Sequence, residues 1–262
     1  MPEVHMMIGN VGSGKSEMSE HLVKKLSGVV VNMDAIQESM HTFYGGYRNE
    51  LKPVYQSVEE SIIKGALEKN VPVIIDRTNM DKKRRARFID IANQYSAEIT
   101  AYQFPELPTE TLLERRMRNP RGITRKQWQE VLFRMSSSFE PPTLDEGFKT
   151  IIPIGSERHG FLAVDFDGTI CNNEFPDIGD PIESTLEFMR KFWAQSLFNR
   201  IIVWTCRGGD YVSEMAEFLR KNNVPYDYIN ENPLVNFGSP KVYANRYLDD
   251  RNILLGNTID IS

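Results

Sequence analysis

Apolar residues fall in short runs through the first half of the chain, at 4–8, 29–31, 71–75 and 99–104, each bounded by turn-forming or polar residues and separated by stretches with helical periodicity. Short apolar runs alternating with helical segments predict a parallel sheet covered by helices. A further helical segment, 126–139, sets Trp128, Val131, Leu132, Met135 and Phe139 on one face, the spacing of a core-packing stripe. Periodicity then fails through Ser136-Ser137-Ser138, Glu140-Pro141-Pro142-Thr143 and on to His159-Gly160, where a domain junction is expected. Beyond it the pattern restarts as strand 161–166, helix 182–194, strand 201–205, helix 211–222 and strand 247–249. The expected fold is therefore α/β in two domains, 1–140 and 160–262 with a linker at 141–159, each a parallel sheet flanked by helices.

At 262 residues and 40% hydrophobic content the chain can bury two modest cores. Its two cysteines, Cys171 and Cys206, are too few for a disulfide framework and point to a reducing, cytoplasmic setting. The start, Met1-Pro2-Glu3-Val4-His5, lacks a basic leader region and reads as a first strand. No apolar stretch approaches the roughly 20 residues that span a bilayer, so no membrane association is expected. The net charge of −5 is uneven: residues 1–159 hold 22 basic and 21 acidic side chains, and residues 160–262 hold 9 and 15. That balance argues against bulk coating of nucleic acid. It leaves clusters such as Lys82-Lys83-Arg84-Arg85 and Arg115-Arg116-Met117-Arg118 as either solvated helix faces or phosphate ligands.

Chemistry enters at Gly9-Asn10-Val11-Gly12-Ser13-Gly14-Lys15-Ser16, a G-x-x-x-x-G-K-[ST] loop between an apolar strand and the helical run 17–26. Gly9, Gly12, Ser13 and Gly14 let backbone N–H groups close on phosphate oxygens, Lys15 neutralises charge on the β- and γ-phosphates, and Ser16 is placed to ligate Mg²⁺. ATP and Mg²⁺ are the expected cofactors. After the second strand, Asp34 puts a carboxylate where ligands bind in open α/β sheets, able to take an attacking hydroxyl's proton or to cap the following helix. Asp76, in Asp76-Arg77-Thr78-Asn79, offers an acid for Mg²⁺, and Arg115, Arg116, Arg118 and Arg121 precede a glycine and a helix as an arginine lid would. The segment 41–48, with Phe43, Tyr44, Tyr47 and Arg48 around two glycines, reads as a nucleotide clamp or an aromatic loop packed on its own domain.

Taken together, the loop at 9–16, Asp34, Ile74-Ile75-Asp76-Arg77-Thr78-Asn79 and Arg121-Gly122 resemble the kinase domain of phage-type polynucleotide 5′-kinase/3′-phosphatases. The resemblance implies a P-loop NTPase fold over 1–140. It implies transfer of the ATP γ-phosphate to a 5′-hydroxyl of RNA or DNA, with Lys15 and Ser16 on ATP and Mg²⁺, Asp34 as base, and Arg118 and Arg121 on the phosphates. Gln37 stands where the phage enzymes carry an arginine.

The second site begins at Phe161-Leu162-Ala163-Val164-Asp165-Phe166-Asp167-Gly168-Thr169, an apolar strand ending in D-x-D-G-T. Strand alternation puts Asp165 and Asp167 on one side, both facing one Mg²⁺ if the chain turns at Gly168. Asp165 is suited to attack phosphorus, and Asp167 to protonate the leaving oxygen and later deprotonate water. Downstream stand Thr205, Arg207, Lys241 and the pair Asp249-Asp250. The set resembles the haloacid-dehalogenase-type phosphatases. That resemblance implies a Rossmann-like fold in which Thr205 binds phosphoryl oxygens, Lys241 stabilises the nucleophile, and Asp249 or Asp250 completes the Mg²⁺ site, while Arg207 has a counterpart in the phage 3′-phosphatase domains. About 35 residues separate Thr169 from Thr205 and Thr205 from Lys241, too few for an inserted cap domain. The site is therefore expected to be open and to admit the end of a polymer.

The leading expectation is an end-healing enzyme that phosphorylates 5′-hydroxyl ends and removes 3′-phosphates. Its partners would be nucleic-acid ends and ATP; functional coupling to a ligase and homo-oligomerisation stay open. Two other readings remain: a small-molecule kinase fused to a small-metabolite phosphatase, and a nucleotide-binding adaptor with vestigial catalysis.

Overall fold

The computed structural model describes residues 1–41, 48–155, 160–235 and 240–251; Phe43, Tyr44, Tyr47 and His159 lie outside the described residues. The chain divides into two compact units, Met1–Glu157 and Arg158–Ser262.

The first unit holds strands β1 (Glu3–Ile8), β2 (Val29–Val31), β3 (Val73–Ile75), β4 (Glu98–Gln103) and β5 (Thr150–Pro153), with helices α1 (Lys15–Leu26), α2 (Met33–His41), α3 (Lys52–Glu68), α4 (Lys82–Gln94), α5 (Thr109–Met117) and α6 (Arg125–Ser137). Its sheet runs in the order β2-β3-β1-β4-β5, all parallel. Helices cover both faces, which is why central strand β1 is buried over Val4–Ile8 rather than alternating. Val4, Met6, Ile8, Val73, Ile75, Ile99 and Ala101 pack against Ile63 and Leu67 of α3 and Phe88, Ile89 and Ile91 of α4. A second cluster joins α5 to α6 through Leu112, Leu113, Trp128 and Leu132. Burying each of these large apolar side chains contributes about 1.5–3 kcal/mol, enough to fix the two helices as a hairpin.

Two expectations are corrected here. The third strand starts at Val73 rather than 71, because Pro72 has no N–H for the ladder; its carbonyl instead accepts from Val29 N at 2.9 Å. The supposed linker 141–159 contributes a short helical turn at Leu144–Glu146, capped by Thr143, and then β5, which extends the first sheet beside β4. Four residues ending in proline carry little strand signal, and they are tolerated because β5 is an edge strand.

The second unit holds strands β6 (Phe161–Asp165), β7 (Arg200–Trp204), β8 (Tyr228–Ile229) and β9 (Arg246–Leu248), with helices α7 (Glu183–Gln195) and α8 (Asp210–Lys221). Its parallel sheet runs β8-β7-β6-β9. Leu162, Val164, Ile201 and Val203 pack on Leu186, Met189 and Phe192 of α7 and Met215 and Leu219 of α8. β9 ends one residue earlier than expected, leaving both Asp249 and Asp250 beyond the strand end. Among the described residues no helix is long and apolar enough to cross a membrane.

Of the basic run 82–85, Arg85 is a core residue. Its side chain is fully buried on α4, paired through Nε and Nη2 with Glu146 at 2.7 and 2.8 Å, while Nη1 donates to the carbonyls of Asn79, Met80 and Glu140. It thereby seats the chain leading to β5. Removing one partner of a buried pair strands the other charge. We expect Arg85→Met to lower the stability of the first unit by about 3–5 kcal/mol, and Arg85→Lys to recover only part of that, as read from denaturant unfolding.

Candidate functional site

In the first unit the functional side chains gather at the carboxyl ends of β1, β2 and β3, in a cleft of about 520 Å³. The loop 9–14 leaves β1 and feeds α1. Gly12 and Gly14 take positive φ, 79° and 101°, which side chains disfavour, and a Cβ on Gly9 would press on Phe104 and Ser13. Gly9 N donates to the Thr78 carbonyl at 2.9 Å and Asn79 Nδ2 to the Met7 carbonyl at 2.8 Å, so the Asp76–Asn79 segment braces the loop from the side. Asn10 braces it from the other, donating to the Leu132 carbonyl and Ser136 Oγ of α6.

Lys15 is folded into the loop: its Nζ donates to the Asn10 carbonyl at 2.6 Å and lies 3.4 Å from Ser13 Oγ. Burial lowers its ammonium to about 8, and the Asp76 carboxylate partly opposes the fall. Asp76 is itself buried and accepts from Asn32 Nδ2 at 2.9 Å. Ser16 and Asp76 both line the cleft, an oxygen pair suited to a hard cation beside a polyphosphate.

Asp34 lies in the first turn of α2 and is not the helix cap; Asn32 fills that role through Ala35 N at 3.1 Å. The Asp34 carboxylate is exposed to the cleft and meets Arg121 Nη1 at 2.5 Å. Of the expected lid, Arg116 and Arg121 line the cleft, the Arg116 guanidinium lying 4.2 Å from the centre of the Trp128 ring. Arg115 donates to the Gly12 carbonyl. Arg118 ends α5, exposed, outside the lining: one helical turn cannot present all three arginines to the same side. Gln37, Lys52, Tyr55, Gln56 and Arg77 complete the walls.

The second unit carries a separate cleft of about 430 Å³ at the carboxyl ends of β6, β7 and β9. Asp165 ends β6. One carboxylate oxygen each from Asp165, Asp249 and Asp250 lies within 4.8 Å of the others. Burial first, then the Asp249 charge, pushes the Asp165 carboxyl up to about 6. Three oxygen ligands repelling one another form a donor set that fits a divalent cation such as Mg²⁺. Gly168 is required here: at φ 93° it faces Asp250 so closely that a Cβ would collide with the carboxylate. Thr169 Oγ1 accepts from Asp250 N at 2.9 Å and so ties the β6 turn to the β9 end.

Asp167 is placed differently from the expectation that it would share one cation with Asp165. Its carboxylate is held by Arg207, from Nε at 2.9 Å and Nη2 at 2.6 Å. Two charge-assisted bonds from one guanidinium fix the orientation of that carboxylate. Arg207 also donates to the carbonyls of Pro176 and Asp177 and lies 5.2 Å from the ring centres of Phe166 and Phe175. Thr205, just past β7, is buried in the lining; its Oγ accepts from Arg207 N at 3.1 Å, and its backbone is pinned on both sides by Asn230. Asn230 carried no sequence signal, since it acts from the end of the two-residue strand β8. Lys241 is exposed, with its ammonium 4.6 Å from the centre of the Tyr247 ring, and is not in the lining. Arg251 is in the lining instead.

The chain is similar to a conserved protein from Bacteroides thetaiotaomicron at 31% identity, over 37% of this chain and 79% of that one, with a TM-score of 0.33. It is similar at 20% identity to a chain of the Pnkp1/Rnl/Hen1 RNA repair complex, over 96% of this chain and 90% of that one, with a TM-score of 0.45. It is similar at 15% identity to a gluconokinase from Sinorhizobium meliloti, over 60% and 85%, with a TM-score of 0.39. The AAA domain family matches residues 4–142, which contain the phosphate loop, Asp34, Asp76 and the arginines of the α5–α6 hairpin. With that match over more than half its length, the chain belongs to the AAA domain family.

Proposed function

We propose that the chain is a bifunctional enzyme of nucleic-acid ends, a polynucleotide 5′-hydroxyl kinase in its first unit and a 3′-phosphatase in its second. The observation that carries the reading is the pairing, within one chain, of a P-loop cleft containing an exposed carboxylate, Asp34, with a second cleft lined by Asp165, Asp249 and Thr205, where Asp165 also meets Asp250.

In the kinase step the loop N–H groups and Lys15 hold the ATP phosphates. Asp34 accepts the proton of the acceptor hydroxyl as its oxygen attacks the γ-phosphorus, and the bond to ADP breaks. The Arg121–Asp34 pair is exposed and weakly held, so the γ-phosphate can draw Arg121 away and free the carboxylate for its proton. In the phosphatase step an Asp165 oxygen attacks the phosphorus of a 3′-phosphate and the bond to the 3′-oxygen breaks, with Asp167 giving that oxygen a proton. Water then attacks the aspartyl phosphate, losing its proton to Asp167, to release inorganic phosphate and restore Asp165. Arg207 shifts from Asp167 towards the incoming phosphoryl oxygens, and Thr205 donates to them. Mg²⁺ on Asp165, Asp249 and Asp250, and with ATP on Ser16 and Asp76, would neutralise phosphate charge in both steps.

An oligonucleotide with a 5′-hydroxyl and a 3′-phosphate, given ATP and Mg²⁺, tests both steps. Wild type should alter both ends; Lys15→Ala should lose 5′ transfer and Asp165→Asn 3′ removal, each by roughly three orders of magnitude and each sparing the other end. If neither end reacts while ATP and a generic phosphoester still turn over, the acceptors are small molecules and the reading falls.

The raised Asp165 carboxyl gives a second expectation. Between the ordinary value of 3.8 and about 6, the folded protein keeps a proton that the unfolded chain has lost. Stability therefore falls as pH rises through that window, and the deficit persists above it. In metal-free buffer with EDTA, Asp165→Asn should be more stable than wild type at pH 7.5, with the advantage gone at pH 4, as followed by Trp193 and Trp204 fluorescence during denaturant unfolding.

A further inference from the structure

Apolar side chains scattered singly over a surface are ordinary, whereas an exposed aromatic pair at the rim of a charged cleft calls for a physical reason. Phe175 lines the second cleft and is 58% exposed. Tyr211, in the first turn of α8, is 40% exposed, and its ring centre lies 5.5 Å from that of Phe175 with the planes inclined at 56°. The segment that carries Phe175 is tied at its base, where Asn172 N donates to the Asp180 carbonyl at 2.9 Å. It is tied again beside the ring, where Arg207 donates to the carbonyls of Pro176 at 3.0 Å and Asp177 at 2.7 Å. Phe175 is thus held in water by a braced loop, and a ring placed in advance loses little freedom when a ligand covers it.

Its place relative to the chemistry follows from Arg207. That guanidinium lies over the Phe175 ring, 5.2 Å from its centre, and also grips the Asp167 carboxylate at 2.9 and 2.6 Å. One guanidinium therefore separates the exposed ring from Asp167, the group that serves the leaving oxygen in the phosphatase step. The carboxylates suited to a cation, Asp249 and Asp250, gather with Asp165 instead. The aromatic pair accordingly belongs with the leaving group. When a 3′-phosphate is removed the leaving group is a nucleoside end, and its one flat, apolar part is the base. Hydroxyls of a sugar would find no donor or acceptor on a phenyl ring, whereas every base presents a π-face on which such a ring can stack.

We propose that Phe175 and Tyr211 form a stacking platform for the base of the 3′-terminal nucleotide, and that it makes the second cleft prefer base-bearing ends over phosphoesters without a base. This rests on the phosphatase reading above and deepens it. Because stacking is indifferent to the hydrogen-bonding edge, the platform accepts all four bases. Arg207 acts here as a positioning residue, lying over the ring while it fixes the two carbonyls that follow it.

The test uses two oligonucleotides with a 3′-phosphate, one ending in an ordinary nucleotide and the other in an abasic residue, with Mg²⁺, and reads the ratio of their kcat/KM values for phosphate release. Wild type should favour the base-bearing end. Phe175→Ala should cut that ratio about tenfold, mainly through KM for the base-bearing end, Tyr211→Ala should cut it less, and Phe175→Trp should keep it. Phe175→Leu keeps an apolar side chain beside Arg207 without a flat face; it should lose the preference as well, and it decides the matter if Phe175→Ala does not fold. Equal kcat/KM on the two ends with wild type, or a wild-type ratio in Phe175→Ala or Phe175→Leu, overturns the platform and leaves the phosphatase reading standing. Failure of wild type on both ends overturns the phosphatase reading and the platform with it.

Discussion

A parallel strand whose two faces are covered by helices is buried along its length, and its carboxyl end is where polar side chains can re-emerge at the edge of a low-dielectric core. Side chains set there feel each other's charge more strongly than in water, because the core beneath them polarises little. Lys15 and Asp165 both stand at such ends. Burial works against the charged form of each, lowering the Lys15 ammonium to about 8 and raising the Asp165 carboxyl to about 6. Polyphosphate would relieve the first and a divalent cation the second, so the same geometry favours opposite charges in the two units.

How much of this was legible in the sequence follows from how local each signal is. The phosphate loop and D-x-D-G-T are contiguous, and their glycines meet demands a reader can name: positive φ at Gly12 and Gly14, and a close approach of Asp250 at Gly168. The central strands were legible because burial on both faces makes them continuous apolar runs. Edge strands β5 and β8 were not, since four residues ending in proline and two residues alone carry almost no pattern. Side-chain partners were the hardest to see. Lys241 has the residue type its expected role needs, but nothing in the sequence places its ammonium over the ring of Tyr247. Arg85 and Arg77 look alike in the sequence; only the fold makes one a core staple and the other part of a cleft wall.

The arginines share one circumstance: Arg77, Arg85, Arg121 and Arg207 each rest on a carboxylate, respectively Glu59, Glu146, Asp34 and Asp167. What separates them is how deeply the pair is buried. The Arg85–Glu146 side chains are 0% and 9% exposed, a pair that breaks only with local unfolding. The Arg121–Asp34 side chains are 43% and 58% exposed, and such pairs are worth less than about 1 kcal/mol. Any triphosphate reaching the cleft therefore outbids Asp34 for Arg121 at little cost.

The Arg207–Asp167 pair lies between these limits. Its guanidinium is 1% exposed, its carboxylate 19%, and the same guanidinium also holds the loop carbonyls of Pro176 and Asp177. Moving Arg207 would disturb Asp167 and that loop together, whereas moving Arg121 disturbs one exposed contact. A phosphoryl group entering the second cleft must therefore offer more than a single charge to displace it. The acidic cluster at Asp165, Asp249 and Asp250 sets the same requirement, since a bare phosphate dianion is repelled there until a cation neutralises it. In the first cleft, by contrast, the positive charge of Lys15, Arg116 and Arg121 is already in the lining. The dependence on a cation should thus be steeper in the second unit than in the first, as a consequence of which charges the two folds bury.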